Sequence, residues 1–484
     1  MKKHNQTNKM LFYFITETKI EKQIISTSVF NRRKEKVLIW KEDKSGSPEL
    51  LLEVRQLVSQ NESSRIMSSF VLDKNFYNAY DLNFCSAVLL PNNSSAKEIG
   101  FVLNHVKIHC FQSCINFLEI DYTVDSDEPE VINNFNYFMS EVKENIIVKL
   151  TYKRFGSDNK SILYTKELTV LNWILNIVKD FGPLHDMDFN SEISYKSLKP
   201  LLISYLYSDK NFELESNLGH NYKKSYNLNK AYLRTTKYFN NSTWYYSTDC
   251  IANISHSTDN ALTNSFFEKN FFAKIERLYL PLVLLAFHMK LFCLYTYHKL
   301  SMIDITFSDV TELKSKCDEL TVEKASFDKM CLFYCFGSPS FIEHVNVFFF
   351  NVVEAFNVDS YKKMVSSKFD FLIDFSSECS KLLVGYDEKK EERRRVCYDI
   401  FAIFTASIVS FASLYDTFLK FLKNAEISFN PVENLLFFGL FSIICLFIPL
   451  VFNFKKNTKK LKKIKKDISE VGKRIEDIGK GNSF

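Results

Sequence analysis

His105, His109, Cys110 and Cys114 fall within ten residues, and imidazole nitrogen and thiolate sulfur are the usual ligands of zinc. The segment reads as a strand, where residues four apart share a face but stand about 13 Å apart. One compact tetrahedral site is not built that way, and no metal ligand is expected here. A second chemistry is anion binding. Arginine is scarce beside lysine, so Lys153-Arg154 and Arg234-Thr235-Thr236-Lys237 stand out in candidate strands. Planar guanidinium groups suit a phosphate, although solvated strand ends explain the four residues equally well. The third pattern is a stripe: Asp399, Ala402, Ala406, Ser410, Ser413 and Thr417 recur every three or four residues, with Asp416 one position off. In hydrocarbon, small residues let helices pack closely. Around a symmetry axis the same stripe would line a narrow polar pore, with each carboxylate repeated as a ring. The alternative is a plain two-helix anchor whose stripe packs against its own partner helix.

Signatures of catalysis are missing from the sequence: there is no Walker-type glycine loop, no His-Glu-x-x-His and no Gly-x-Ser-x-Gly. The expectation is a protein that is not an enzyme. Gly337-Ser338-Pro339-Ser340 reads as a helix break, and Asp125, Asp127, Glu128 and Glu130 as a solvated acidic turn. Cys331 and Cys335 share a helical face without a second ligand pair, which makes them core residues.

The stripe lies in the first of two apolar segments, Ile400–Tyr415 and Leu435–Phe452. Each is long enough, or nearly so, to cross a hydrocarbon core of about 30 Å. Arg393-Arg394-Arg395 precedes the first and eight lysines from Lys455 to Lys466 follow the second, whereas the stretch between is poor in Lys and Arg. By the positive-inside rule both ends stay in the cytoplasm, giving a multi-pass protein of the plasma (inner) membrane. The second segment, rich in Leu, Ile and Phe, reads as the lipid-facing wall. Beyond it Leu461, Ile464, Ile468, Val471, Ile475 and Ile478 form a short heptad seam, fit for a parallel assembly or for a helix lying on anionic lipid.

Most of the 484 residues precede this hairpin, and 46% hydrophobic with 15% aromatic content supports real cores. The net charge of +5 is less than the lysine run supplies alone, so no global nucleic-acid signal exists. Eleven scattered cysteines without secreted-type spacing suit a reducing compartment. Candidate strands are Val37–Trp40, Ala87–Leu90, Ile115–Thr123, Ile146–Phe155, Leu201–Leu206, Ala231–Phe239 and Thr243–Ile251; helical periodicity marks Glu49–Val58 and Glu167–Val178. From Asn260 the character turns to long helices, over Asn260–Met302 and Ser340–Arg395. The apolar centre Leu278–Phe287 is followed by His288 and Lys290, which favours a helix buried in a helical oligomer over a third span. The expected architecture is an α+β cytoplasmic domain (1–255), long stalk helices (256–396), a two-helix transmembrane hairpin (397–454) and a basic tail (455–484).

This order, with the segment Tyr279-Leu280-Pro281-Leu282-Val283-Leu284-Leu285-Ala286-Phe287-His288, resembles the CorA family of metal-ion transporters over residues 260–466. The resemblance implies a homopentamer whose first span lines the pore. It departs at the outer end of that span, where the family's Gly-Met-Asn is replaced by Leu414-Tyr415-Asp416. Divergent CorA-like proteins without the motif include effectors of type III CRISPR systems, which respond to an adenylated S-adenosylmethionine and damage the membrane of an infected cell. What the likeness implies is a channel gated by a nucleotide second messenger and acting in antiviral defence; Lys153, Arg154, Arg234 and Lys237 are the residues that could then hold its phosphate. Two alternatives are a divalent-cation transporter using Asp416, and a membrane-anchored binding domain.

Overall fold

The computed structural model describes residues 6–16, 28–30, 36–38, 40–43, 67–72, 83–91, 99–128, 146–155, 161–169, 200–208, 234–303, 310–333, 338–424, 455–460 and 462–466. It also describes residues 19, 24, 131–132, 135–136, 139, 432–433, 436, 440 and 469. Two compact units divide the chain: Met1–Lys299 with Lys329–Val365, and Leu300–Asp328 with Ser366–Phe484. The first unit thus takes in residues 256–299 and 329–365, a stretch that the sequence assigns to stalk helices.

The first unit is built on a mixed sheet. Its strands are β1 (Gln6–Ile15), β4 (Trp40–Glu42), β5 (Met67–Leu72), β6 (Asn83–Pro91), β7 (Gly100–Phe111), β8 (Ile115–Val124), β9 (Ile146–Phe155), β10 (Ser161–Thr169), β11 (Leu201–Ser208), β12 (Arg234–Phe239), β13 (Ser242–Tyr246) and β14 (Cys250–His256). A separate ribbon pairs β2 (Ser28–Phe30) with β3 (Lys36–Leu38). The main order is β10-β9-β6-β7-β8-β1-β11-β14-β13-β12; β7 pairs with β6 at its start and with β5 at its end, so the sheet forks there. Every pairing is antiparallel except β11 with β14.

Several expectations shift. Thr243–Ile251 is not one strand: Ser247 accepts bonds from the backbone at Asp249 and Cys250, turning the chain between β13 and β14. Glu167 to Thr169 lie in β10, opposite Lys149 to Ile147, rather than opening a helix, because strand pairing outweighs local periodicity. The remainder of that expected helix and Glu49–Val58 lie outside the described residues.

Asn260 caps helix α1, which runs over Ala261–Ser301; its side chain accepts from the backbone of Leu262 and Thr263. Two turns, Phe266–Asn270 and Ile275–Tyr279, are π-helical. The second has a sequence cause. Pro281 cannot donate to the carbonyl four residues back, and the wider turn just ahead of it absorbs the mismatch.

Among the described residues α1 is the one helix long and apolar enough to cross a membrane, yet 78% of its apolar window is buried within the fold. The cover is the chain's own sheet, not a helical oligomer. Phe271 and Phe272 pack on Tyr205, Tyr279 on Trp244, Phe287 on Phe117 and His288 on Phe111. Helix α3 (Glu343–Ala355) adds Phe348, whose ring centroid lies 4.6 Å from Trp244 and 4.8 Å from Tyr279. On the opposite face Phe135 packs on Phe101 and Tyr122.

Helix α2 spans Val310–Phe333, and α4 spans Val358–Asn424 in 67 residues. Asn357, at φ 55°, separates α3 from α4 in the left-handed conformation that asparagine tolerates at a helix end. In the second unit α2 meets α4 through Lys324 with Asp370 and Phe327 with Phe369. The described residues at 432–433, 436, 440, 455–460 and 462–466 are helical. Lys460 Nζ lies 3.1 Å from Glu392 Oε1, so the basic segment meets α4 at that level.

Candidate functional site

The most concentrated chemistry is in the first unit, where strand alternation gathers charge on the sheet face that α1 covers. Glu119 and Asp121, two apart on β8, share that face, while Leu118, Ile120 and Tyr122 take the other. Lys9 of β1 is in register with Asp121; His105 and Lys107 of β7 oppose Asp121 and Glu119. Glu276 arrives from α1 on the π-turn.

Lys9 sits at the centre, fully buried. Its ammonium donates to Glu119 Oε1 at 2.7 Å and Asp121 Oδ2 at 2.5 Å, and pairs with Glu276. Glu276 also takes Lys107 at 3.0 Å, whose other carboxylate is Asp43 at 2.9 Å. Glu119 accepts from His105 Nε2 at 3.1 Å and His109 Nε2 at 2.7 Å. A carboxylate only accepts, so both Nε2 atoms carry hydrogen, and Nδ1 of a neutral His109 then accepts from Ser69 Oγ at 2.8 Å. Asp121 receives Asn104 Nδ2 at 2.6 Å and Thr7 Oγ1 at 3.1 Å.

Burial alone would push the Lys9 amine down; Asp121, Glu119 and Glu276 override it and hold the amine well above the usual lysine range. Burial likewise works against ionised Glu119, but Lys9, Lys107 and the two histidines hold its carboxyl well below the ordinary value. Lys107 is raised against its own burial by Glu119, Glu276 and Asp43. The site is an ionised network.

His105, Glu119, Asp121 and Glu276 offer ligand atoms within 4.8 Å of one another. Metal chemistry could enter this donor set only by displacing Lys9, whose ammonium stands where a cation would. Among the sequence's zinc candidates, His105 and His109 come together on one carboxylate of the neighbouring strand. They are the diagonal neighbours of Glu119, and a register shift between Leu103 and His105 helps aim them. Cys110 and Cys114 take no part; Cys114, at φ 64°, belongs to the β7–β8 turn.

The four anion-binding candidates are not brought together. Lys153 and Arg154 lie on β9 and Arg234 and Lys237 on β12, eight positions apart in the sheet order and roughly 38 Å at the usual strand spacing. Arg234 pairs with Glu354 of α3, and Thr236 accepts from Asn351 on that helix, so this end of β12 is tied down.

Asp399, Ala402, Ala406, Ser410, Ser413, Asp416 and Thr417 all lie on α4 and are exposed. Thr417 donates its hydroxyl to the Ser413 carbonyl, as hydroxyls do when a helix face must satisfy itself. Apolar side chains are exposed beside them: Phe401 is 70% and Val409 64% accessible, and beyond α4 Leu436 and Leu440 are 64% and 60%. Such an extent of apolar surface calls for a cover.

No family model, curated protein or solved structure matches this chain.

Part of the central network was within reach of the sequence: Glu119 and Asp121 alternate with Leu118, Ile120 and Tyr122 in an anticipated strand, which puts two carboxylates on one face. Lys9, following Gln6, Thr7 and Asn8, carries no such local signal. Only the pairing of β1, β7 and β8 shows that these charges meet. The described part of the heptad seam is Ile464, which is buried; its other members lie outside the described residues.

Proposed function

We propose that the protein is a multi-pass protein of the plasma membrane, a CorA-like oligomer whose C-terminal hairpin forms a ligand-gated conducting path. The observation that carries this reading is the Lys460–Glu392 contact. Helix from Glu392 to Asn424 extends about 48 Å, and the chain is back beside Glu392 after 36 more residues. Those 36 residues are enough for a second arm of similar length, and both basic clusters flank the contact. That is the charge asymmetry expected of a hairpin with both ends in the cytoplasm. The exposed apolar side chains beyond that contact give a bilayer something to cover.

The small, hydroxylated stripe of α4 supports a path between copies, a homopentamer by the resemblance. Asp399 and Asp416 would form its inner and outer rings. The sheet domain would be the cytoplasmic sensor of a nucleotide-type second messenger, and the physiological role a conditional membrane leak in antiviral defence. Full-length protein reconstituted in dye- and ion-loaded vesicles tests this. Ligand-dependent release is expected with an adenylated nucleotide; vesicle insertion without flux under any nucleotide leaves an anchor and removes the channel. Magnesium-dependent rescue of a transport-deficient host would instead favour a cation transporter.

A further inference from the structure

The Glu392–Lys460 contact divides the charges at the root of the hairpin into two unlike sets. In chain order Arg393, Arg394 and Arg395 follow Glu392 toward the apolar arm, while Lys455, Lys456 and Lys459 precede Lys460 as the other arm returns. All six are exposed. Asp399 is the one carboxylate on this side before the apolar stretch begins. On the far side the composition is mixed: Asp387, Glu388 and Glu391 alternate with Lys389 and Lys390, and Lys462, Lys463, Lys465 and Lys466 face the same level. Arg395 reaches back across the boundary to Glu391 at 2.9 Å. Positive charge is therefore denser on the arm side of the contact, with six cations to one carboxylate, than on the other, where six lysines stand beside three carboxylates.

Val396, directly after Arg395, is 4% exposed, whereas the three arginines before it are exposed. Arginine forks and lysine ammoniums at the edge of an apolar surface match one chemistry, phosphodiester headgroups carrying net negative charge. Nucleic acid also offers phosphates, but not the adjoining apolar phase into which Phe401, Val409, Leu436 and Leu440 project.

We infer that Arg393, Arg394, Arg395, Lys455, Lys456 and Lys459 form a collar that binds anionic phospholipid headgroups of the cytoplasmic leaflet. The inference rests on the membrane-hairpin reading above and names the lipid partner of that hairpin.

The test uses the full chain, reconstituted into vesicles of phosphatidylcholine alone and of phosphatidylcholine mixed with phosphatidylglycerol, then released for native mass spectrometry. The expected result is insertion into both, with phosphatidylglycerol retained several-fold above its share of the bilayer. The enrichment should fall to parity in R393Q/R394Q/R395Q/K455Q/K456Q/K459Q and weaken as salt is raised. Because these side chains are exposed, the variant should keep the wild-type circular dichroism spectrum, and soluble glycerophosphate should not compete. Insertion with both lipids retained in bilayer proportion overturns the collar but leaves the hairpin. Failure to insert into either vesicle overturns the hairpin itself. Binding of a fluorescent oligonucleotide, abolished in the same variant without any lipid enrichment, would reassign the collar to nucleic acid.

Discussion

Lys460 Nζ and Glu392 Oε1, 68 residues apart in sequence, stand 3.1 Å from each other where the basic tail meets α4. The pair is roughly half exposed on both sides, so its own contribution to stability is small, about 0.5 kcal/mol. Its value is as a marker of register. In E392C/K460C a short bismaleimide should link the two thiols within one chain, detected as a cross-linked peptide. E392C paired with a cysteine at Lys420 should give no such link, since 28 residues of helix separate them by about 42 Å. Equal yields from both pairs would sink the returning-arm geometry.

Lys9 pairs with three carboxylates, Glu119, Asp121 and Glu276. Lys9→Met leaves Glu119 and Asp121 buried without it, and a stranded buried charge costs about 3–5 kcal/mol. Chemical denaturation should show a loss of that size. The double variant Lys9→Met/Glu119→Leu should recover part of it, because removing both partners eliminates the desolvated carboxylate. A double variant as weak as the sum of both singles would mean that the charges act independently. Glu276→Gln should cost less than Lys9→Met, as that carboxylate is 25% exposed and solvent can compensate.

These two features show what the sequence could and could not yield. Ile146–Phe155 is strand β9 residue for residue, and α1 begins at the residue after the anticipated Asn260. In both, the local signals of β-branching and capping agree with the tertiary structure. The covering of α1 was misjudged, because an apolar helix looks the same whether a sheet, an oligomer or lipid buries it. The charged network escaped notice for a related reason. Lys9, Glu276 and the β7–β8 hairpin that carries His105 and Glu119 are far apart in sequence, and nothing local says that they meet. Arg234 and Lys153 were grouped by residue type, but strand order separates them.

His288 should make the first unit acid-sensitive. It is fully buried, stacked on Phe111 with ring centroids 4.0 Å apart, and its Nε2 is 2.6 Å from Ser113 Oγ. Burial pushes its imidazole down to about 3. Between that value and the unfolded one of about 6.5, the unfolded chain binds a proton that the folded chain refuses. Stability from this group is therefore complete above pH 6.5 and declines as the pH falls, by about 2 kcal/mol at pH 5. Glu119 acts in a lower window: its depressed carboxyl contributes fully above about 4.3 and fails only as the pH falls through its folded value. Melts of His288→Leu should lack the loss between pH 6.5 and 4.5 while keeping the steeper one below. An unchanged pH profile would place the acid sensitivity elsewhere.

Ser410 and Ser413 provide the sharpest test of a conducting path. Both are exposed on α4, three residues apart, on the face that runs from Asp399 to Thr417. If that face lines a pore, a leucine there replaces a hydroxyl with a branched apolar side chain in every subunit. The constriction then becomes narrower and dewets, which closes a passage without any change in the lipid-facing surface. Ser410→Leu and Ser413→Leu should each lower conductance at least tenfold, with insertion and oligomer size unchanged. Asp416→Asn should leave conductance in place but shift cation over anion preference, since it removes one charge per subunit at the outer ring. Val409→Leu, on the same turn but off the stripe, is the control and should conduct normally. Full conductance in both serine variants would reassign the stripe to helix packing within an anchor, the role small residues play where no pore exists.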